Sequence, residues 1–243
     1  MRVFLILLRR ELQSTFTSFG YFVLLAVVSS LVSYLFLDQL TATGHDLRAA
    51  LYHSSTWLYI LTMVLAPLLT MRLIAEEKRS GSLELLMTAP VDDVQVVGAK
   101  FFSSVFVFAT FMAPIWVCHF VLAGFYDAAV DWGQLTATTL GVVSIALIYL
   151  AVGTLASAAC SIQLWAALLA FIGNFFIFMI GQFQKQFEQG STAAQFFAYV
   201  DLQRHMQTSV LGLIDLRQLS LQFSITILLL YWTVRVVETR KWR

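Results

Sequence analysis

Charged side chains are scarce in this 243-residue chain: Asp, Glu, Lys and Arg together make up 12% of it, where soluble domains carry about a quarter. So few charges, beside 59% hydrophobic residues and a mean hydropathy of +0.80, exclude a disordered chain and argue against an ordinary soluble enzyme. Only two cysteines occur, which excludes a disulfide-stapled secreted module. Cys118 and Cys160 both fall in apolar stretches, too far apart to bridge, and read as small core residues. No Gly-x-x-x-x-Gly-Lys-Ser/Thr run is present, so nothing here cradles a nucleotide phosphate in the usual way.

What the sequence has instead is uninterrupted apolar length. A membrane-crossing helix needs about 20 apolar residues, at about 1.5 Å of rise each. Five windows contain no Asp, Glu, Lys or Arg: Leu12–Leu37, Ala49–Met71, Phe101–Tyr126, Trp132–Gln184 and Gln218–Val234. The fourth is too long for one helix and turns near Ser157–Gln163, where small and polar residues replace bulky ones. The chain is therefore expected to be an all-α integral membrane protein with six spans. These are Phe19–Leu37, Ser55–Ala75, Lys100–Gly124, Trp132–Ala159, Gln163–Gln182 and Gln218–Val237. A β-barrel is excluded, because these runs do not alternate polar and apolar residues.

Residues 1–18 predict an amphipathic helix on the membrane surface. Val3, Phe4, Leu7 and Leu8 share one face, with Arg2, Arg9 and Glu11 largely off it. Six spans put both termini on one side. With that side cytoplasmic, eleven of the fifteen Lys and Arg lie inside, and only Arg48, Lys185, Arg204 and Arg217 lie outside. The positive-inside rule thus favours an N-in, C-in topology. His119 is the one ionisable group expected inside a span, toward the outer end of the third, where a core or interfacial role is the default and a pathway or cargo contact the alternative. Proton- or sodium-coupled carriers place Asp, Glu or Lys near the midplane, so this pattern argues against secondary transport. Polar Asn174 in the fifth span is a candidate for an interhelical hydrogen bond, a dimer interface or a pathway lining. Glu76 and Glu77 fall on the opposite side of the membrane from His45 and His53, so these residues assemble no metal or catalytic cluster.

The loop between the second and third spans carries the strongest local signal. Glu76, Glu77, Lys78 and Arg79 form a mixed-charge cluster beyond the membrane, and Ser80-Gly81-Ser82 breaks the helix. A short helix then starts, with Glu84 in its first turn, Leu83, Leu86 and Met87 as an apolar stripe, and Pro90 as its stop. Asp92 or Asp93 caps the next helix. An exposed stripe needs a cover: either a soluble partner docks on it or it folds back on the membrane surface.

The stretch Glu76-Glu77-Lys78-Arg79-Ser80-Gly81-Ser82-Leu83-Glu84-Leu85-Leu86-Met87-Thr88-Ala89-Pro90 resembles the coupling-helix loop of the ABC type-2 transporter permeases. Gly98-x-Lys100-Phe101 downstream, and Arg10-Glu11-Leu12 with Phe16-Thr17-Ser18 and Tyr21 upstream, are similar to that family's pattern. Phe19-Gly20 stands where a Pro often follows the Ser. His205-Met206 and Gly212-Leu213-Ile214-Asp215-Leu216-Arg217 resemble the segment before the last span in the gliding-motility and nitrous-oxide-reductase-maturation branch, with Met206 in place of a Phe.

The resemblance implies a permease without catalytic residues or a cofactor of its own, in the inner membrane of a bacterium. A separate pair of ATPase subunits would bind ATP and Mg, and a second permease copy, identical or related, would complete the pathway. Glu76, Glu77, Arg79, Gly81, Leu83, Glu84, Leu86 and Met87 would form the ATPase-coupling set. The outer segment 183–216, with His205, Gly212 and Asp215, has the composition of short amphipathic helices at the outer interface. It would serve as a gate or a docking site for a periplasmic partner, or as a rigid lid. The product would be an exporter or, alternatively, a mechanical or signalling subunit acting on an outer partner; nothing points to nucleic acid.

Overall fold

The computed structural model describes residues 2–80, 92–126, 129–183, 195 and 199–239. Among them there is no strand. The helices are α1 (Arg2–Phe16), α2 (Phe19–Ala42), α3 (Leu47–Thr70), α4 (Ala75–Ser80), α5 (Asp93–Thr110), α6 (Ala113–Tyr126), α7 (Trp132–Ala159), α8 (Gln163–Phe183), α9 (Leu202–Val210) and α10 (Leu216–Glu238). Six helical stretches are long and apolar enough to cross a membrane, with α5 and α6 together forming the third. The chain is a multi-pass membrane protein. Its outward surface is studded with side chains such as Phe19, Phe125, Leu164 and Ile227, all more than half exposed, as a lipid-facing surface requires.

Several helices outrun the charge-free windows. Helix α3 begins at Leu47, on the cap of Asp46, whose carboxylate accepts from the amides of Arg48 (3.0 Å) and Ala49 (3.4 Å). Asp131, Asp201 and Asp215 cap α7, α9 and α10 in the same way. The third span is broken at Phe111–Met112, where Phe111 bonds back to Phe108 and Met112 to Ala109 in a tighter turn. Pro114 follows at once and lacks the N–H that a continuous helix would use there.

Helix α7 is the axis of the bundle. It packs against α3, α5, α8, α9 and α10. Its small residues allow close approach: Thr70 of α3 fills the space a side chain would need at Gly153, and Ser209 of α9 does so at Gly141. Tyr149, Leu150 and Ala151 are fully buried at its centre.

A proline within α3 explains the placement of Asn174. Pro67 cannot donate to the carbonyl of Met63, four residues earlier. Asn174 of α8, fully buried, donates its Nδ2 to that carbonyl at 3.4 Å. The freed backbone acceptor is thereby satisfied from a neighbouring span, as the bilayer interior demands.

This arrangement predicts a coupling that a double-mutant cycle reads directly. Asn174→Leu should lower the unfolding stability of the detergent-purified chain by about 1–2 kcal/mol. In a Pro67→Ala background, where the new amide can take the Met63 carbonyl, the same substitution should cost measurably less. Equal costs in the two backgrounds would separate Asn174 from the proline.

Candidate functional site

The site is built where α3 leaves the bundle. After Thr70 the chain turns through residues 71–74 into α4. Ser157, fully buried near the end of α7, holds this turn. Its Oγ accepts from the amides of Ile74 (3.0 Å) and Ala75 (3.1 Å) and donates to the carbonyl of Met71 at 3.4 Å. Lys78 of α4 donates its Nζ to the carbonyl of Ala158, one of the acceptors left open at the end of α7. Ile74 packs with Val97, Ala158 and Val237, so α5, α7 and α10 meet the turn in one small apolar cluster.

Lys100, on α5, is the charged centre of the site. Its side chain is 4% exposed. Its Nζ lies 3.0 Å from Oε1 of Glu11 on α1 and 2.8 Å from Oε1 of Glu77 on α4. An ammonium withdrawn from water this far needs a counter-charge, and the bundle itself has none to offer. The carboxylates come from two elements beside the bundle, which joins α1, α4 and α5 through one cation. Phe4 packs edge-on against Phe102 at 6.2 Å and reaches the bare Cα of Gly98, seating α1 along α5.

Two expectations are corrected by this geometry. Glu11 does not lie off the packed face of α1; it sits in that face, on Lys100, while Val3 is 41% exposed. The pairing with Lys100 fixes the rotation of the helix. His119 is also not the only ionisable group buried in the long apolar helices, since Lys100 lies in one of them.

The sequence-predicted coupling residues divide. Glu77 faces Lys100, while Glu76 and Arg79 are exposed on the other side of α4; Lys78, outside the predicted set, faces the end of α7. Gly81, Leu83, Glu84, Leu86 and Met87 lie outside the described residues. Glu11, Lys100 and Ser157 were missed as site residues. A lone lysine at the edge of an apolar window, with Glu residues in two separate flanking segments, was the available signal.

The remaining candidates lie elsewhere. His119 is buried against Phe36, its Nδ1 2.8 Å from the carbonyl of Ile115. At the end opposite Lys100, three candidates fall in one hairpin. His205 is buried, with Nε2 3.0 Å from the Tyr199 carbonyl and Nδ1 3.4 Å from Nε2 of Gln222 on α10. Gly212, at φ +82°, closes the end of α9, with Leu213 bonded back to Thr208. Asp215 caps α10 through the amide of Arg217 at 2.9 Å. Beside this hairpin an open cavity of about 650 Å³ is bordered by Arg48 and Asp131, which pair at 2.9 Å, and by Tyr52, His53 and Gln134. Among the described residues no group of His, Cys, Asp and Glu could hold a metal ion.

Two measurements check these assignments. Lys100→Met should leave two carboxylates without their cation and lower stability by about 3 kcal/mol, while adding Glu11→Gln and Glu77→Gln to it should recover most of the loss. No recovery in the triple variant would show that the lysine acts by packing alone. For His205, burial pushes the imidazole below its ordinary range, against the opposing pull of the Tyr199 carbonyl, Asp201 and Asp215. The folded state therefore prefers the neutral ring. That contribution is complete above about pH 6.5 and is lost as the pH falls below it, through the lower folded value. Thermal melts from pH 7.5 to 5 should show an acid-side loss that is smaller in His205→Asn.

The family model described as "ABC-2 family transporter protein" matches residues 38–203, about two thirds of the chain. No curated protein gives a significant match.

Proposed function

The chain belongs to the ABC-2 transporter family, and on that premise we propose that it converts ATP hydrolysis by separate ATPase subunits into export across the inner membrane of a bacterium. As a member of that family it is the permease component of an ABC transporter. The observation that carries the proposal is the rooting of α4. The segment leading into residues 81–91 is held by Lys100 to α1 and α5, and by Ser157 and Ala158 to α7.

In this reading the stripe of Leu83, Leu86 and Met87 docks on the ATPase. ATP and Mg bind to that partner, one ATPase subunit beneath each of two permease copies. Closure of the ATPase pair displaces residues 81–91. A loop attached only by its backbone would absorb that movement. Attached by a buried ion triad and a serine clamp, it passes the displacement to α1, α5 and α7 together. Glu76 and Arg79 are exposed, away from this anchorage, and in this reading they meet the ATPase surface. Helix α9 and the turn that leads into α10, which carry the likeness to the gliding-motility and nitrous-oxide-reductase-maturation branch, would cap the outer end of the bundle, with α10 re-entering the membrane as the last span.

The test is co-purification of the tagged chain with its ABC ATPase partner. Leu86→Asp should release or uncouple the ATPase while the permease remains inserted, because a buried Leu contributes about 1.5–3 kcal/mol and the new carboxylate would be buried unpaired. Glu76→Gln should do less, as exposed ion pairs are worth under about 1 kcal/mol. Undiminished recovery and coupled turnover of Leu86→Asp would end the coupling assignment. Cysteine labelling in sealed cells, with Cys118 and Cys160 replaced, should reach position 48 from outside but not position 84.

A further inference from the structure

The exposed flank of α1 has a chemistry of its own. Leu5, Leu8, Leu12 and Phe16, spaced three, four and four residues apart, form an apolar stripe along one flank of the helix. They line an open groove of about 550 Å³, and Arg9 and Gln13 stand on its rim. Leu5 is 59% exposed, while Leu8, Leu12 and Phe16 are half-buried, with Leu12 and Phe16 resting their inner edges on the bundle, so the stripe forms a ledge beside the bundle that is open on its outer side.

The charge of the helix is biased in one direction. Glu11 is the only acidic residue of α1, and it is turned inward onto Lys100. Arg9 and Arg10 are exposed and make no ion pair among the described residues. The triad thus leaves α1 presenting cations alone on its outer side. An apolar groove with a cation at its rim fits an amphiphile with an acyl chain and an anionic head.

We propose that this groove binds an anionic glycerophospholipid, with an acyl chain along Leu5, Leu8, Leu12 and Phe16 and the phosphate at Arg9. The proposal rests on the chain being a membrane protein and needs no ATPase. Arg contributes a bidentate fork to a phosphate, and each basic group near an anionic lipid surface changes affinity about fivefold. The lipid would tie α1, and through Glu11 also Lys100, to the surface of the leaflet.

The test uses the full-length chain, delipidated in a nonionic detergent, with labelled phosphatidylglycerol as probe and phosphatidylcholine or inorganic phosphate as competitor. Phosphatidylglycerol should be retained against both competitors. Arg9→Gln should weaken retention about fivefold, Arg9→Lys should keep most of it, and Arg204→Gln, at the far end of the molecule, should change nothing. Displacement by inorganic phosphate would reduce the site to a simple anion site and overturn the lipid assignment. Equal binding of both lipids, or full retention by a folded Arg9→Gln chain, would also overturn it. A change of oligomeric state in Arg9→Gln would mean that a second copy of the chain occupies the groove instead. Loss of ATPase co-purification does not enter this assay, so its outcome is independent of the coupling model.

Discussion

A lysine ammonium sits almost wholly out of water at the edge of an apolar bundle, and it must be neutralised there. Much of the organisation at that end of the molecule follows from this requirement. Glu11 has to lie in the packed face of α1, which sets the rotation of that helix against α5. Glu77 has to point inward from α4, which sets the rotation of a helix only six residues long. Short helices are marginal by themselves. This one is specified by its neighbours: Ser157 takes its leading amides, Lys78 takes a carbonyl at the end of α7, and Glu77 takes Lys100.

Helix α7 connects this end to the other. Ser157 clamps the turn before α4, Gly153 receives Thr70 of α3, and Gly141 receives Ser209 of α9. Gly141 and Ser157 are sixteen residues apart, or about 24 Å along a helix. Side chains at the two glycines would push the neighbouring helices away, so both are needed for the close packing of the axis. A displacement of the turn at residues 71–74 acts on the same rigid rod that seats the α9–α10 hairpin at its far end.

The membrane architecture was legible because lipid imposes a simple rule: apolar runs long enough to cross it must be free of charge. Five charge-free runs announce themselves for that reason, and the small and polar residues near Ser157–Gln163 divide the longest into two spans. The ends of the helices were less legible, because Asp38 and Arg48 can stay in a helix once it has left the hydrocarbon, and α2 and α3 include them. The break at Phe111–Met112 had a visible cause in Pro114, yet apolar continuity hid it. The site was half legible. Charge clustering and motif likeness point to residues 76–79, and Gly98-x-Lys100 follows them in the same pattern. That Glu11 and Glu77 share one lysine was not readable, because the first two spans separate Glu11 from Glu77 and Lys100, and the three are joined only by the fold. Asn174 shows the same division. The sequence contains the proline that frees the Met63 carbonyl, but the residue that answers it lies 111 positions away from Met63.

The sharing of one cation by two carboxylates also compensates the buried lysine from two directions. Lys100 can loosen its hold on Glu77 without becoming an unpaired buried charge, because Glu11 remains beside it at 3.0 Å. A single Lys–Glu pair would lack this property, since separating it would leave both ions uncompensated in a poorly solvated place. Glu76 and Arg79, on the exposed side of α4, can meanwhile exchange partners at little energetic cost, because solvent screens them. The six residues of α4 thus combine an inward face that resists detachment with an outward face that is free to engage another surface, and the alternation of side chains along one and a half turns of helix is enough to separate the two.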